Sequence, residues 1–349
     1  MRSTDGGSSW AGPIRVAIAD NADRIGICTP ISGACSDQAT PLVYVTFHTY
    51  TGGTDRVHFY GSQDYGATWP DSNYRYWANA TEPCLAADQD ELVVSWVLAG
   101  RVYAAWNTHA GRPSKWSQAF AVNYEQSYGV YSRPSVALTQ VTGKPRKRVD
   151  FTAVLRRPDG RHLVSTTYFY TRTSSNNPPI IFPSAERWLS YGIAQAGANA
   201  NPSILRYMET ETDSFRLSCA WTDVSANAYW STARRRTARS SPPPYTFDGS
   251  GRRLVPGPNA DMVYSARSGA SVLYGPALRQ GELWPFTAGA GDLSAVAADP
   301  DGNAWVAFRC DDTIWCLTGE QSVEPVWAGD GSRVPGQPSI AIYPLQDNG

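Results

Sequence analysis

Apolar and polar residues alternate over short stretches along most of this chain, and turn-forming residues interrupt them at short intervals. The clearest stretch is DRVHFYGSQDYGATW, in which Val57, Phe59 and Gly61 alternate before a turn. No stretch of about 12 residues has a 3.6-residue apolar period. Thirty glycines, 25 prolines and 12% aromatic residues fit the same picture. The pattern predicts an all-β fold of many short strands.

A second pattern marks the starts of repeating units. It consists of a polar residue, in most cases followed by a proline, and then a small residue and an apolar strand. Examples are EPCLAAD, RPSVALT, NPSILRY, DLSAVAAD and QPSIAIY. Aromatic-rich second strands and then third strands follow several of them, and the starts lie about 45–70 residues apart, with one gap of about 92. This order predicts a six- or seven-bladed β-propeller with four-stranded antiparallel blades.

An eight-residue motif, S-x-D-x-G-x-x-W, occurs twice. Its copies are Ser3, Asp5, Gly7, Trp10 and Ser62, Asp64, Gly66, Trp69. The aspartate can accept hydrogen bonds from the next backbone amides, the glycine supplies a positive φ, and the tryptophan can fold beneath the turn. The motif therefore predicts hairpin connectors with a structural role.

The motif is identified as the Asp box, and the chain resembles the sialidases and other bacterial-neuraminidase-repeat proteins. That resemblance implies a propeller whose ligands bind at the axis, on the face opposite the Asp-box hairpins. Sialidases use three arginines for the substrate carboxylate, an aspartate acid/base and a Tyr–Glu nucleophile pair. Their first arginine lies in a (Phe/Tyr)-Arg-Ile-Pro segment, and the nearest match here is YSRPSVAL, which contains Arg133. No other member of that catalytic set is placed, so the catalytic residues stay unknown.

The repeats predict one propeller domain over 1–349, with a terminal blade split between residues 1–20 and 337–349. The chain begins inside an Asp box and finishes with a first strand, so we expect a fragment of a longer protein. An export signal is expected either to have been removed or never to have been part of this sequence.

Six cysteines include two close pairs, Cys28 with Cys35 and Cys310 with Cys316. An even count with such pairs predicts local disulfides in a secreted or cell-surface protein, with free buried thiols as the alternative. No metal site is expected, because no C-x-x-C pair occurs and the four histidines are scattered. No cofactor is expected.

Charge limits the partners. Charged residues make up 17% of the chain and the net charge is −1, so no overall field attracts nucleic acid or an anionic membrane. The sequence contains no run of 18 apolar residues, the length that a membrane-spanning helix needs. The basic segment TGKPRKR at 142–148 and the Arg234–Arg236 run are interpreted as solvated loops.

The ligand-binding candidates are the residues expected at the axis, just before each first strand or just after each second strand. They are Arg133, Asn201, Asp261, Asp292 and Gln337 in the first set, and His48, Arg156, Asp223, Arg309 and Asp311 in the second. Tyr128, Tyr131, Trp221 and Trp305 are candidate stacking platforms, with a core role as the alternative. Arginines and other polar groups in a concave funnel suit a carboxylated or hydroxylated sugar.

Two main classes of function stay open. One is a secreted or surface propeller that recognises a glycan or polysaccharide, including an acidic one. The other is an exo-acting enzyme: a glycoside hydrolase of sialidase type, which requires paired carboxylates or a Tyr–Glu pair at the axis, or alternatively a polysaccharide lyase. A structural propeller within a larger polypeptide or an extracellular assembly is a further alternative.

Overall fold

A computed structural model describes part of the chain, and its described residues form β-strands with two short 3₁₀ helices, Asp71–Asn73 and Pro113–Lys115. The described residues are 1–3, 9–12, 14–17, 22–29, 42–88, 91–122, 129–140, 147–172, 180–183, 187–188, 202–209, 214–222, 228–234, 252–256, 263–267, 272–276, 284–286, 291–298, 304–310, 313–317, 323–328 and 338–341.

Within these residues the strands form six antiparallel sheets. Sheet 1 is β1(Ala22–Cys28), β2(Val43–Thr51), β3(Thr54–Ser62), β4(Tyr74–Ala78); sheet 2 is β5(Thr81–Asp88), β6(Glu91–Leu98), β7(Arg101–Asn107), β8(Phe120–Ala121); sheet 3 is β9(Val130–Gln140), β10(Lys147–Arg156), β11(His162–Arg172), β12(Ile180–Pro183), with β13(Arg187–Trp188) also paired to β11. Sheet 4 is β14(Ser203–Glu209), β15(Ser214–Thr222), β16(Ala228–Arg234); sheet 5 is β17(Arg252–Pro256), β18(Val263–Arg267), β19(Val272–Pro276), β20(Trp284–Phe286); sheet 6 is β21(Gly291–Ala298), β22(Ala304–Cys310), β23(Thr313–Leu317), β24(Val323–Ala328).

Each sheet is a meander whose first strand packs against the first strand of the next sheet. The contacts run in chain order from β1 to β5, β9, β14, β17 and β21. The all-β class and the four-stranded antiparallel sheets are thus confirmed, whereas the number of blades stays a prediction.

Two hydrophobic clusters fill the spaces on either side of sheet 2. One joins sheets 1 and 2 around Phe59, Trp77 and Trp96, and the other joins sheets 2 and 3 around Trp106 and Phe151. Strand β6 is buried along almost its whole length because its alternating side chains enter both clusters. Burial of this apolar surface at about 25 cal/mol per Å² is the main force holding the sheets together.

The serine of the Pro-Ser repeat joins neighbouring first strands. The Ser135 Oγ accepts a hydrogen bond of 3.3 Å from the Ile204 backbone amide, which links sheet 3 to sheet 4. The Ser339 Oγ accepts one of the same length from the Ile27 amide in sheet 1. Residues 338–341 therefore lie beside β1, as Ser135 and its neighbours lie beside β14.

The Ser62–Trp69 turn connects β3 to β4. The Ser62 Oγ accepts a bond of 2.8 Å from the Gly66 amide, and the Asp64 carboxylate accepts one of 2.9 Å from the Thr68 amide. Gly66 has φ +78°, and the Trp69 indole donates to the Gly66 carbonyl at 3.2 Å. The Ser62 hydroxyl and the Asp64 carboxylate, the two side-chain acceptors of the motif, thus both take part in hydrogen bonds within the turn. Of the first copy of the motif, Asp5 and Gly7 lie outside the described residues, and Arg2 pairs with Ala11 across it.

A related turn follows β7, where the sequence motif is absent. The Asn107 Oδ1 accepts bonds from the amides of His109 and Gly111 at 2.9 and 3.0 Å. The Ser62 Oγ accepts the same pair of bonds, from residues two and four positions later. Asparagine replaces serine as the acceptor, and so a search for the literal motif misses this turn.

The predicted disulfide between Cys310 and Cys316 is wrong, because both thiols are free in the structure. The β22–β23 register places Cys310 opposite Thr313 and Cys316 opposite Ala307. The two cysteines are three register positions apart, which is about 10 Å along a strand and beyond the roughly 7 Å that a disulfide spans. Cys28 is also a free thiol, and its expected partner Cys35 lies outside the described residues.

The interpretation of 142–148 as an exposed turn is wrong at its end. Lys147 and Arg148 begin β10 and are 3% and 9% exposed. The Lys147 ammonium donates to the Asp88 carbonyl at 2.6 Å and lies 3.3 Å from the Asp88 carboxylate. Arg148 donates to Asp150 and stacks on Tyr168 at 4.0 Å. Both cations are thus used in the interface between sheets 2 and 3 or within sheet 3. No described helix is long and apolar enough to cross a membrane.

Candidate functional site

A β-bulge recurs at one position of four first strands. In β1, β5, β9 and β21, two residues oppose a single residue of the second strand, between Asp23 and Gly26 in the first case. The first bulge residue is Arg24, Glu82 or Arg133 in the first three sheets, with φ of +50°, +55° and +53°. This left-handed backbone is rare for non-glycine residues and costs roughly 1–2 kcal/mol at each position. Strained bulges of this kind concentrate at functional sites and re-aim side chains.

The three bulges contact one another through the middle residue. The Glu82 carboxylate forms an ion pair with the Arg24 guanidinium, at 2.8 Å, and accepts a hydrogen bond from the Arg133 backbone amide. The Glu82 side chain is 16% exposed and that of Arg24 is 46% exposed. Glu82 thereby links sheets 1, 2 and 3 at the end of the strands where the chain enters each sheet.

A histidine bridges two carboxylates at the same end of sheet 1. The His48 Nδ1 lies 2.6 Å from the Asp23 carboxylate, and its Nε2 lies 2.8 Å from that of Asp55. The imidazole is 12% exposed, whereas the Asp23 and Asp55 side chains are 59% and 39% exposed. Strand pairing produces this arrangement, since Asp23 and His48 are register partners and Asp55 lies two positions from the partner of His48.

An exposed aromatic ring stands beside this cluster. Tyr50 follows His48 by two positions in β2, so its side chain projects from the same face of the sheet. It is the register partner of Asp55 and is 55% exposed. A two-residue turn of Gly52 and Gly53, with φ of +61° and +80°, closes the hairpin beyond it.

We call this group the strand-end site and define it as Asp23, Arg24, His48, Tyr50, Asp55 and Glu82. The Ser62–Trp69 turn leaves the opposite end of β3, so the site and the turn lie at opposite ends of sheet 1. The site combines hydrogen-bond-accepting carboxylates, an imidazole, a guanidinium and the exposed side chain of Tyr50. Among the described residues, no group of three or more His, Cys, Asp or Glu side chains can hold a metal ion.

Of the ligand-binding residues predicted from the sequence, some lie at the strand-end site and others do not. Arg133 contacts it through its backbone amide, and His48 lies at its centre. Tyr131 is 1% exposed within the core between sheets 2 and 3, with its amide bonded to the Gly100 carbonyl. Arg156 is exposed at the end of β10. The candidates Asn201, Asp223, Asp261, Asp311, Gln337 and Tyr128 lie outside the described residues.

Sheet 6 repeats part of the arrangement in its backbone. Asp292 and Arg309 are register partners beside the β21 bulge, as Asp23 and His48 are in sheet 1. The bulge residue equivalent to Arg133 is Leu293, so Asp292 is equivalent to Asp23 instead. Arg309 and Trp305 are partly exposed in β22, and Trp221 lies in β15.

Sequence reasoning missed Asp23, Arg24, Tyr50, Asp55 and Glu82 as site residues. A usable signal was present in HTYTGGTD, where a Gly-Gly turn places His48, Tyr50 and Asp55 at one hairpin end. The left-handed bulges have no comparable sequence signal, since arginine and glutamate rarely adopt this backbone.

The chain matches no protein-family model, and no curated protein matches it. Among solved structures, it is similar to the Aleuria aurantia lectin, a six-bladed β-propeller with a fucose recognition mode, at 10% identity and a TM-score of 0.49, covering 88% of this chain and 97% of that one. It is similar to the SapL1 lectin at 12% identity and a TM-score of 0.48, covering 87% and 95%. It is similar to the Trypanosoma rangeli sialidase at 8% identity and a TM-score of 0.48, covering 88% of this chain and 54% of that one. Likenesses at these values assign neither a family nor a ligand to this chain.

Proposed function

We propose that this chain recognises carbohydrate at the strand-end site. The observation that carries the proposal is the exposed Tyr50 ring beside the Asp23–His48–Asp55 cluster. An aromatic face stacks on the C–H face of a sugar ring, and carboxylates at its edge accept hydrogen bonds from sugar hydroxyls. In small-molecule sites a small number of placed polar groups fixes the orientation of the ligand, and the two aspartates can act in this way here.

Preorganisation supports the same proposal. His48 fixes both carboxylates and is itself shielded, while the aspartates keep 59% and 39% of their surface exposed. Groups held in place before binding lose less conformational freedom when a ligand arrives. Glu82 orders the neighbouring Arg24 in the same way, at 2.8 Å.

A glycoside hydrolase is the second candidate. One imidazole ring separates Asp23 from Asp55, which keeps the two carboxylates within the about 5–10 Å range of paired glycosidase carboxylates. In such enzymes the two carboxylates flank the scissile bond, whereas here they flank His48. Because the imidazole occupies the intervening space, the geometry favours binding over hydrolysis.

The wider setting of the site is part of the proposal. Successive first-strand contacts from β1 to β21 support a propeller over 1–349 in which the strand-end site lies towards the axis. The Ser339–Ile27 bond supports a terminal blade shared by the two ends of the chain. The Asp-box relationship and a location outside the cytoplasm belong to the same proposal and rest on the sequence motifs.

Retention on immobilised glycans, with product release followed by mass spectrometry, tests the function. We expect retention without release, and Tyr50→Ala should weaken binding about tenfold, as the loss of one stacking contact implies. Tyr65→Ala is the matched control, since Tyr65 is 39% exposed on the turn at the other end of sheet 1. Release of a sugar would establish the hydrolase instead. If Tyr50→Ala and Tyr65→Ala changed the glycan affinity equally, any binding site would lie away from the strand-end site.

A further inference from the structure

The charge of the strand-end site follows from its hydrogen bonds. An ionised carboxylate only accepts, so when Asp23 and Asp55 are both ionised the His48 ring donates from both nitrogens and is positively charged. Two negative charges and one positive charge then leave one negative charge beside Tyr50. If His48 is neutral, one of its nitrogens accepts from a protonated aspartic acid, and the cluster again carries one negative charge.

The neighbouring cation does not reverse this balance. The Arg24 guanidinium is 2.8 Å from the Glu82 carboxylate, so its charge is matched within the site. The carboxylates of Asp23 and Asp55 are more than a third exposed and lie on the same sheet face as Tyr50. A ligand stacked on Tyr50 therefore meets hydrogen-bond acceptors that carry negative charge.

We infer that the strand-end site selects neutral sugars and discriminates against sugars that carry a carboxylate. This inference rests on the proposed function and departs from the expectation of an acidic glycan. A hydroxyl donates to an aspartate, whereas a ligand carboxylate only accepts and is repelled by a like charge. Discrimination of this kind comes from the repulsive element as much as from the attractive contacts.

Matched sugar pairs test the inference. The probes are oligosaccharides ending in glucose or glucuronate, galactose or galacturonate, and mannose or mannuronate, identical within each pair except at the sixth carbon. We expect a neutral member to bind at least about tenfold more tightly than its uronate at low ionic strength, and the ratio to shrink as salt is added.

Substitutions that remove the charge but keep the shape locate the effect. Asp23→Asn combined with Asp55→Asn should narrow the neutral-to-uronate ratio to about threefold or less, because repulsion is lost while the side-chain size is kept. Asp71→Asn is the control, as an exposed carboxylate in the 3₁₀ helix at the other end of sheet 1. Melting curves establish that each variant is folded.

The outcomes separate the two proposals. If both members of a pair bind, Tyr50→Ala weakens both, and the uronate binds equally or more tightly, the neutral-sugar inference is overturned and the proposed function stands. The inference is also overturned if the double substitution Asp23→Asn with Asp55→Asn leaves the preference for neutral sugars unchanged. Absence of binding by every pair contradicts the proposed function and the inference together.

Discussion

The Asn107 side-chain oxygen accepts a hydrogen bond from the Gly111 backbone amide at 3.0 Å, and Gly111 packs so closely on Phe59 that an added Cβ would lie 2.9 Å from that ring. The turn that follows β7 of sheet 2 is thus anchored to sheet 1. Trp116, at the end of the same segment, meets Phe59 edge to face at 4.9 Å between ring centroids. One amide oxygen therefore positions a contact between sheets.

Removing that oxygen should destabilise the fold without altering the strand-end site. We expect Asn107→Ala to lower the free energy of unfolding by about 1–3 kcal/mol, because the three side-chain hydrogen bonds with the His109 amide, the Gly111 amide and the Arg112 carbonyl are lost, and the buried Gly111 amide is left unsatisfied. Urea denaturation measures the change. Asn107→Ser, which keeps an acceptor as Ser62 does, should recover part of it; an equal loss in both variants would contradict this role.

Asp64 should make stability depend on acid. Burial opposes ionisation of this carboxyl, but hydrogen bonds from Thr68 and Ser62 outweigh it and lower the pKa from 3.8 to about 2. A group with a lowered pKa in the folded state stabilises the fold fully above its unfolded value, and this contribution is lost as the pH falls through the folded value.

The melting temperatures of the protein and of Asp64→Asn should therefore differ at pH 7 and converge between about pH 4 and pH 2. Differential scanning fluorimetry across this range measures the convergence. Glycan binding at neutral pH should survive the substitution, because the turn lies at the far end of sheet 1 from Tyr50. A constant difference at every pH would show that charge on Asp64 does not stabilise the turn.

Gly129 occupies a backbone position that no other residue fits. Its φ is +136°, and an added Cβ would lie 2.0 Å from the Arg156 carbonyl oxygen. We expect Gly129→Ala to cost about 2–4 kcal/mol of stability, measured by urea unfolding. Gly160→Ala is the control: φ is +83° with nothing within 4 Å of the added atom, so only the backbone penalty of about 1 kcal/mol applies. Equal losses would show that the clash is relieved.

The two cysteines of sheet 6 should react at different rates. Cys316 is 1% exposed, and burial raises the pKa of its thiol to about 12, so little thiolate forms at pH 8. Cys310 is partly exposed on the neighbouring strand. Iodoacetamide labelling of the native protein with peptide mapping should modify Cys310 first, with no prior reduction. A Cys310–Cys316 linked peptide would contradict the structure.

Periodic features of the chain were predictable, and features set by neighbouring sheets were not. The alternation around Val57 and Phe59 specifies strands because a half-buried sheet imposes a two-residue period. The placement of Lys147 in a buried interface depends on Asp88, 59 residues away, and the sequence around either residue does not contain that contact. The basic residues around Lys147 therefore predicted an exposed position for it.

The strand-end site was predictable only in part for the same reason. His48 was identified because it follows from the repeat, whereas Asp23 and Asp55 reach it from the strands on either side. Tyr131 was predicted as a stacking platform with a core role as the alternative, and the structure places it in the core between sheets 2 and 3, 1% exposed. Cysteine spacing was misleading because proximity in a hairpin depends on register, which spacing alone does not specify.

Hydrogen-bonded strands in the described chain follow one another in sequence, apart from β13, so each sheet closes only short loops as it forms. A chain leaving the ribosome can complete sheet 1 while sheet 6 is still unsynthesised, and the Ser135–Ile204 bond can form as soon as sheet 4 emerges. The Ile27 amide, in contrast, waits for Ser339, which is synthesised 312 residues later. During translation the first sheet is therefore complete long before the side of β1 that receives Ser339 is covered, and this interval is when a nascent chain is most exposed to association with another.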